Sequence, residues 1–214
     1  MKKEIKYPFL LFLFILTAWG IYRYSFKLPE WTDEFLFKPL IMLCPVLFLV
    51  FRLEKNSLVS LGISNNNFLK NVLIGLIAGI FISFEAIMTN KFKNSSIVFN
   101  PDNLSGLSMF LVILIPFATG FVEETVFRGY IMNRLLGAFK SEFFANLLST
   151  ILFVVVHLPA LIFVQHLSSF SMINSLIQLF VLGAFDGFIF ARTRTIVAPT
   201  ISHSLWNLSA VLFR

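Results

Sequence analysis

The sequence predicts an all-α, polytopic membrane bundle of seven to eight transmembrane helices, and three observations carry that prediction. Of 214 residues, 57% are hydrophobic and only 13% charged, against about 25% charged in soluble domains. The apolar residues fall into seven runs, most near the ~20 residues needed to cross a bilayer. Prolines interrupt several runs (Pro45, Pro116, Pro159, Pro199). In a bundle, neighbouring helices or water can satisfy the carbonyls that proline leaves free.

The first run, about Pro8 to Tyr24, follows Lys2, Lys3 and Lys6. It resembles a signal peptide, but Trp19, Tyr22 and Arg23 stand where a small-x-small cleavage site belongs, so it is read as a helix. The next runs cover about Phe35 to Phe51 and Val72 to Met88. The fourth starts near Leu107 and reaches Leu136. It exceeds one bilayer width, so Gly129 to Phe139 is expected to emerge or bend along the surface. The last three cover about Phe143 to Val164, Met172 to Ala191 and Ile196 to Phe213. No repeat and no linker divides residues 1–214, so the expectation is a single membrane domain.

Loop charge gives the orientation. Lys2, Lys3, Lys6, Arg52, Lys55, Lys70, Arg128, Arg134, Lys140, Arg192 and Arg194 fall on the side of the N-terminus. Arg23, Lys27, Lys91, Lys93 and Arg214 fall opposite, with Lys38 unassigned. The positive-inside rule then predicts a multi-pass protein of the cell membrane with a cytoplasmic N-terminus. The net charge of +6 suits anionic lipid at the bilayer surface. No basic cluster interleaves with polar and aromatic residues, so no nucleic-acid partner is expected. The single cysteine, Cys44, excludes an intramolecular disulfide and reads as a packing residue.

Chemistry concentrates in few places. Glu123 and Glu124 are adjacent carboxylates inside an apolar run, where a buried acid is a functional candidate by default. Arg128 follows Glu124 at i+4, Phe153 precedes His157 by four, and Asn207 follows His203 by four. Such pairs share a helix face. Glu123 is turned about 100° from Glu124, and no cation stands at helical spacing from it. The expectation is that Arg128 holds Glu124 while Glu123 faces a cavity as an unpaired base. Glu123 and His157 can activate water, while His203 and Asn207 can donate to an oxyanion. Alternatively His157, His203 and Glu124 can hold Zn²⁺; spacing leaves both routes open. At ~1.5 Å per residue from the cytoplasmic ends, His203 lies about 10 Å deep and His157 about 20 Å. Asp186, between Gly183 and Gly187, is an open candidate: a partner for Arg192, or an acid behind one of the histidines. Gly75 and Gly79, like Gly183 and Gly187, read as close helix contacts.

The ordered set Glu123-Glu124-x-x-x-Arg128, Phe153-x-x-x-His157 and His203-x-x-x-Asn207 resembles the CPBP family. That family joins type II CAAX prenyl endopeptidases to bacteriocin-processing proteins and is also called Abi. Phe127-Arg128-Gly129, Gly183-x-x-x-Gly187 and Ala198-Pro199-x-x-x-His203 match as well. The resemblance covers about Leu107 to the C-terminus. It implies an intramembrane endopeptidase in which Glu123 and His157 activate water and His203 and Asn207 stabilise the oxyanion, with Glu124 and Arg128 in support. The implied substrate is a membrane protein or peptide, such as a bacteriocin, a leader peptide or a prenylated protein. The rival expectation is a non-catalytic immunity or scaffold protein of the same fold.

Overall fold

The computed structural model describes residues 3–99 and 106–213, so Lys2 and Arg214 of the orientation count lie outside them. Among the described residues all regular structure is helical. We number seven helices: α1 (Lys3–Ser25), α2 (Glu30–Leu53), α3 (Phe68–Asn94), α4 (Gly106–Glu124, continuing to Phe139), α5 (Glu142–Phe163), α6 (Ser169–Thr193) and α7 (Val197–Leu212). The first six are long and apolar enough to cross a membrane. This agrees with the expected multi-pass bundle of seven to eight helices. The seventh has 16 residues, about 24 Å at 1.5 Å each, and is short of a full hydrocarbon core.

Local sequence explains the departures from ideal helix. Pro39 and Pro45 in α2 cannot donate to a preceding carbonyl, and the turns there widen to i→i+5 bonding at Asp33–Phe37, Pro39–Leu43 and Leu49–Leu53. Pro199 sits in the first turn of α7, where the backbone N–H groups lack intrahelical acceptors anyway. Gly62 holds φ +72° at the end of the Leu58–Leu61 turn, a left-handed conformation that a Cβ disfavours. Its carbonyl accepts from the Ile196 N–H at 3.1 Å, tying this turn to the start of α7.

The second half of α4 corrects an expectation. Gly129 to Leu136 packs within the bundle, and the stretch becomes exposed only at its end, at Gly137 and Phe139. A wide-turned stretch, Thr125–Met132, follows Glu124 directly and is buried throughout. Phe127, Tyr130, Ile131 and Leu135 form the middle of the core with Ile15 of α1, Val46 of α2 and Phe153 of α5. Polar ties hold it there. Arg134 reaches Glu54 at 2.5 Å, Tyr130 donates to Glu54 at 2.8 Å, and Arg134 also donates to the Ser60 carbonyl at 2.6 Å. Length alone suggested an emerging end; internal hydrogen-bond partners are what let a polar-studded segment remain inside.

Lipid replaces water around this bundle, so large apolar side chains point outward. Leu10, Leu13 and Phe14 of α1 and Ile77, Ile80 and Phe81 of α3 are exposed. Cys44 also lies on the outer surface rather than in packing. Helices in lipid gain little from apolar burial against one another, and small residues let them approach closely instead. The expected glycine contacts are present. α7 packs chiefly on α3 and α4. A Cβ at Gly75 would stand 2.7 Å from the Ala198 carbonyl oxygen, and one at Gly120 would stand 2.8 Å from Ser204 Oγ. At Gly187 a Cβ would collide with Asn146.

These contacts predict opposite outcomes at two glycines. Gly75→Val drives side-chain atoms into the α7 backbone and should destabilise the bundle by about 1–3 kcal/mol. Gly137 has nothing within 4 Å of its would-be Cβ, so Gly137→Ala should be neutral or stabilise by about 0.5–1 kcal/mol. Thermal unfolding of detergent-purified protein checks both.

Candidate active site

The two glutamates close the regular part of α4, one turn after Gly120 brings α7 alongside. Both are buried, Glu123 to 3% exposure and Glu124 to 0%. Each carboxylate meets a different set of partners because the two side chains leave the helix about 100° apart.

Glu124 lies on the Arg128 side. Its Oε1 is 2.9 Å from Arg128 Nη1 and accepts from His203 Nδ1 at 2.8 Å. Arg128 is itself fixed, donating through Nη2 to the Gly183 carbonyl of α6 at 2.9 Å. Its guanidinium also sits 4.6 Å from the centre of the Phe153 ring, close enough for a cation–π contact. A Cβ at Gly183 would stand 3.0 Å from Thr150 Cγ2 and 3.2 Å from Arg128 Nη2, so a larger residue there would press on both. The i,i+4 reading of Glu124 and Arg128 therefore holds, and α5 and α6 complete it.

Glu123 turns toward both histidines. Its Oε2 lies 3.6 Å from His157 Nε2 and 3.6 Å from His203 Nε2. Each Nδ1 is occupied behind the site: that of His157 by the Phe153 carbonyl at 2.7 Å, that of His203 by Glu124. An Nδ1–H spent on such an acceptor makes Nε2 of the neutral ring a lone-pair acceptor. Three acceptor atoms thus converge on one spot. The Phe153 ring packs edge-on against both imidazoles, at centroid distances of 4.6 Å and 5.8 Å. His157 is the member open to the outside, with 22% of its side chain exposed. Two Nε2 atoms each 3.6 Å from one oxygen stand closer together than the roughly 10 Å depth difference that equal starting depths of α5 and α7 imply.

The expectation that Glu123 is unpaired fails. Lys38 of α2, unassigned in the sequence, donates to Glu123 Oε1 at 2.9 Å and pairs with Glu34 at 2.5 Å. Glu34 in turn accepts from Thr119 at 2.6 Å. A lone lysine in an apolar run is as costly as a lone glutamate, and that rule was the signal available for Lys38. Asp186 of α6, the open candidate, is fully buried with Oδ2 3.9 Å from His203 Nδ1. Arg192 pairs with Glu142 instead. Asn207 stands one turn beyond His203 and is half-buried.

Glu124, Asp186 and His203 bring metal-ligand-type atoms within 4.8 Å of one another, and His157 is outside that group. Within this group Glu124 Oε1 faces the Arg128 guanidinium and His203 Nδ1, while Glu124 Oε2 and both Asp186 oxygens are buried without a hydrogen-bond partner among the described residues.

A family model described as type II CAAX prenyl endopeptidase Rce1-like matches residues 105–209. No curated protein and no solved structure matches the chain. The matched segment runs from the start of α4 into the last turn of α7 and holds both glutamates, Arg128, both histidines and Asn207. Residues 105–209 of this multi-pass membrane protein are thus similar to the Rce1-like family of type II CAAX prenyl endopeptidases, in keeping with the order of the glutamate, histidine and asparagine motifs.

Proposed function

We propose that the protein is an intramembrane endopeptidase that hydrolyses a peptide bond of a membrane-associated protein or peptide, without a metal ion. One observation carries the reading: Glu123 Oε2 lies 3.6 Å from Nε2 of both His157 and His203. A water molecule beside this cluster can hydrogen-bond to the carboxylate and an imidazole at once. Glu123 takes a proton from this water, and the hydroxide attacks the carbonyl carbon. The same proton then passes to the departing amine, so acid and amine products balance one water consumed. His157, with Nδ1 tied to Phe153, offers only Nε2 and orients the nucleophile.

His203 and Asn207 stabilise the tetrahedral oxygen. Because Nδ1–H of His203 is committed to Glu124, its Nε2 donates only when the ring carries both protons. The Glu124 carboxylate 2.8 Å behind it favours that charge. Asn207 supplies an amide donor from the next turn of α7. With the N-terminus cytoplasmic, the exposed edge of His157 is where substrate meets the site. The binding segment is one membrane domain, 1–214, and its substrate class includes lipidated proteins and leader-type or bacteriocin-type peptides.

Quantitative profiling of new peptide N-termini in membranes tests this. Termini present with wild type should fall about 10²–10⁴-fold with Glu123→Gln. His157→Ala and His203→Ala should remove them equally, at unchanged protein abundance. Asn207→Ala should cost about 10²–10³-fold, the usual loss for one oxyanion donor. Identical termini in wild type and Glu123→Gln, with the cellular phenotype retained, would favour the immunity or scaffold reading. Separately, stringent chelation should leave cleavage unchanged; activity lost on chelation and restored by Zn²⁺ would return the metal route.

A further inference from the structure

The positive charge closest to Glu123 comes from outside the family-matched segment. Lys38 belongs to α2, is buried to 5% exposure, and donates to Glu123 Oε1 at 2.9 Å. The oxygen it holds is the one that does not face the histidines. Glu34 anchors the same ammonium at 2.5 Å and is fixed by Thr119 at 2.6 Å. The Trp19 ring of α1 lies 5.8 Å from Lys38 Nζ. Lys38 is thus immobilised by α1, α2 and α4, all packed around a single charge.

Resting on the endopeptidase reading, we propose that Lys38 is a positioning residue for the reaction: by holding Oε1, it keeps the buried Glu123 carboxylate charged and aims Oε2 at His157 and His203. Physics requires some such partner. A carboxylate removed from solvent and left unpaired takes up a proton, which ends its service as a base. The other candidate cation, Arg128, is committed to Glu124 and Gly183. His157 and His203 approach only Oε2, each at 3.6 Å, so even a charged His203 stands farther from the carboxylate than Lys38 does at 2.9 Å and leaves Oε1 unheld. Other ionisable groups around the site are Glu34 on α2, Glu124 on α4 and Asp186 on α6; all are acids and none can neutralise Glu123.

Lys38→Met keeps the length of the side chain and removes its charge. It leaves Glu34 without its ammonium, so the companion Glu34→Gln/Lys38→Met keeps the local charge balanced and guards against misfolding. The first measurement is infrared difference spectroscopy on purified full-length protein in lipid nanodiscs at neutral pH. Subtracting Glu123→Gln from wild type should isolate a carboxylate stretch. The same subtraction in the Glu34→Gln/Lys38→Met background should isolate a protonated carboxyl stretch. The second measurement scores the Glu123-dependent termini defined above. Lys38→Met should lower them about 10²-fold or more, the low end of a lost general base, while Lys38→Arg recovers a large part of the signal.

A carboxylate stretch that survives loss of Lys38, wild-type cleavage by Lys38→Met, or equal loss in Lys38→Met and Lys38→Arg would each overturn the proposal. Failure of the endopeptidase reading looks different: wild type yields no Glu123-dependent termini at all, while the infrared comparison still decides what Lys38 does to Glu123.

Discussion

Two adjacent carboxylates buried beside each other are the constraint around which this bundle is arranged. Moving one such ion into a low-dielectric interior carries an idealised cost of order 20 kcal/mol. The two side chains leave the helix about 100° apart, and although both reach His203, each meets its own cation. Arg128 comes from the next turn of the same helix, and Lys38 comes from α2. Each cation then needs support of its own, which Gly183 and Phe153 give to Arg128 and Glu34 gives to Lys38. The electrostatic demand of two residues thereby recruits α2, α5, α6 and α7 to one locus.

Close approach makes that convergence possible. Ion pairs need contact distances, and helices carrying bulky side chains settle with their axes 8–10 Å apart. Glycines at 75 and 79 of α3 and 120 of α4 let the short α7 sink between those helices. His203 is consequently buried, although its helix is the shortest in the bundle. Gly183 does the same for α6, bringing its carbonyl to Arg128. The small residues and the charges are one design: the first set distances that the second require.

Much of this was legible from residue order, and the failures share a cause. Helix number and placement followed from hydropathy, because the bilayer imposes length and polarity on each span separately. The Glu124–Arg128 pair and the glycine contacts followed from spacing within one helix. What the chain does not encode locally is which helices are neighbours. Hydropathy gives Lys38 no side, because its partner stands 85 positions later. Helix ends give no depth for His157 and His203, since tertiary packing decides where those ends sit. Length points the far half of α4 outward, while Glu54 and Ser60, from another part of the chain, hold Arg134 inside.

The two glutamates, so alike in sequence, end in unlike settings, and the difference matches the division of labour proposed for them. Glu124 is held by a guanidinium that also donates to a backbone carbonyl and lies against an aromatic ring. Such a planar, multiply anchored cation gives a fixed charge and a fixed direction, which is what a group orienting an imidazole needs. Glu123 is held by an ammonium shared with a second carboxylate. That compact ammonium has three donors and no fixed plane, so it bonds both carboxylates at once and meets the charge of Glu123 without touching the oxygen that faces the histidines.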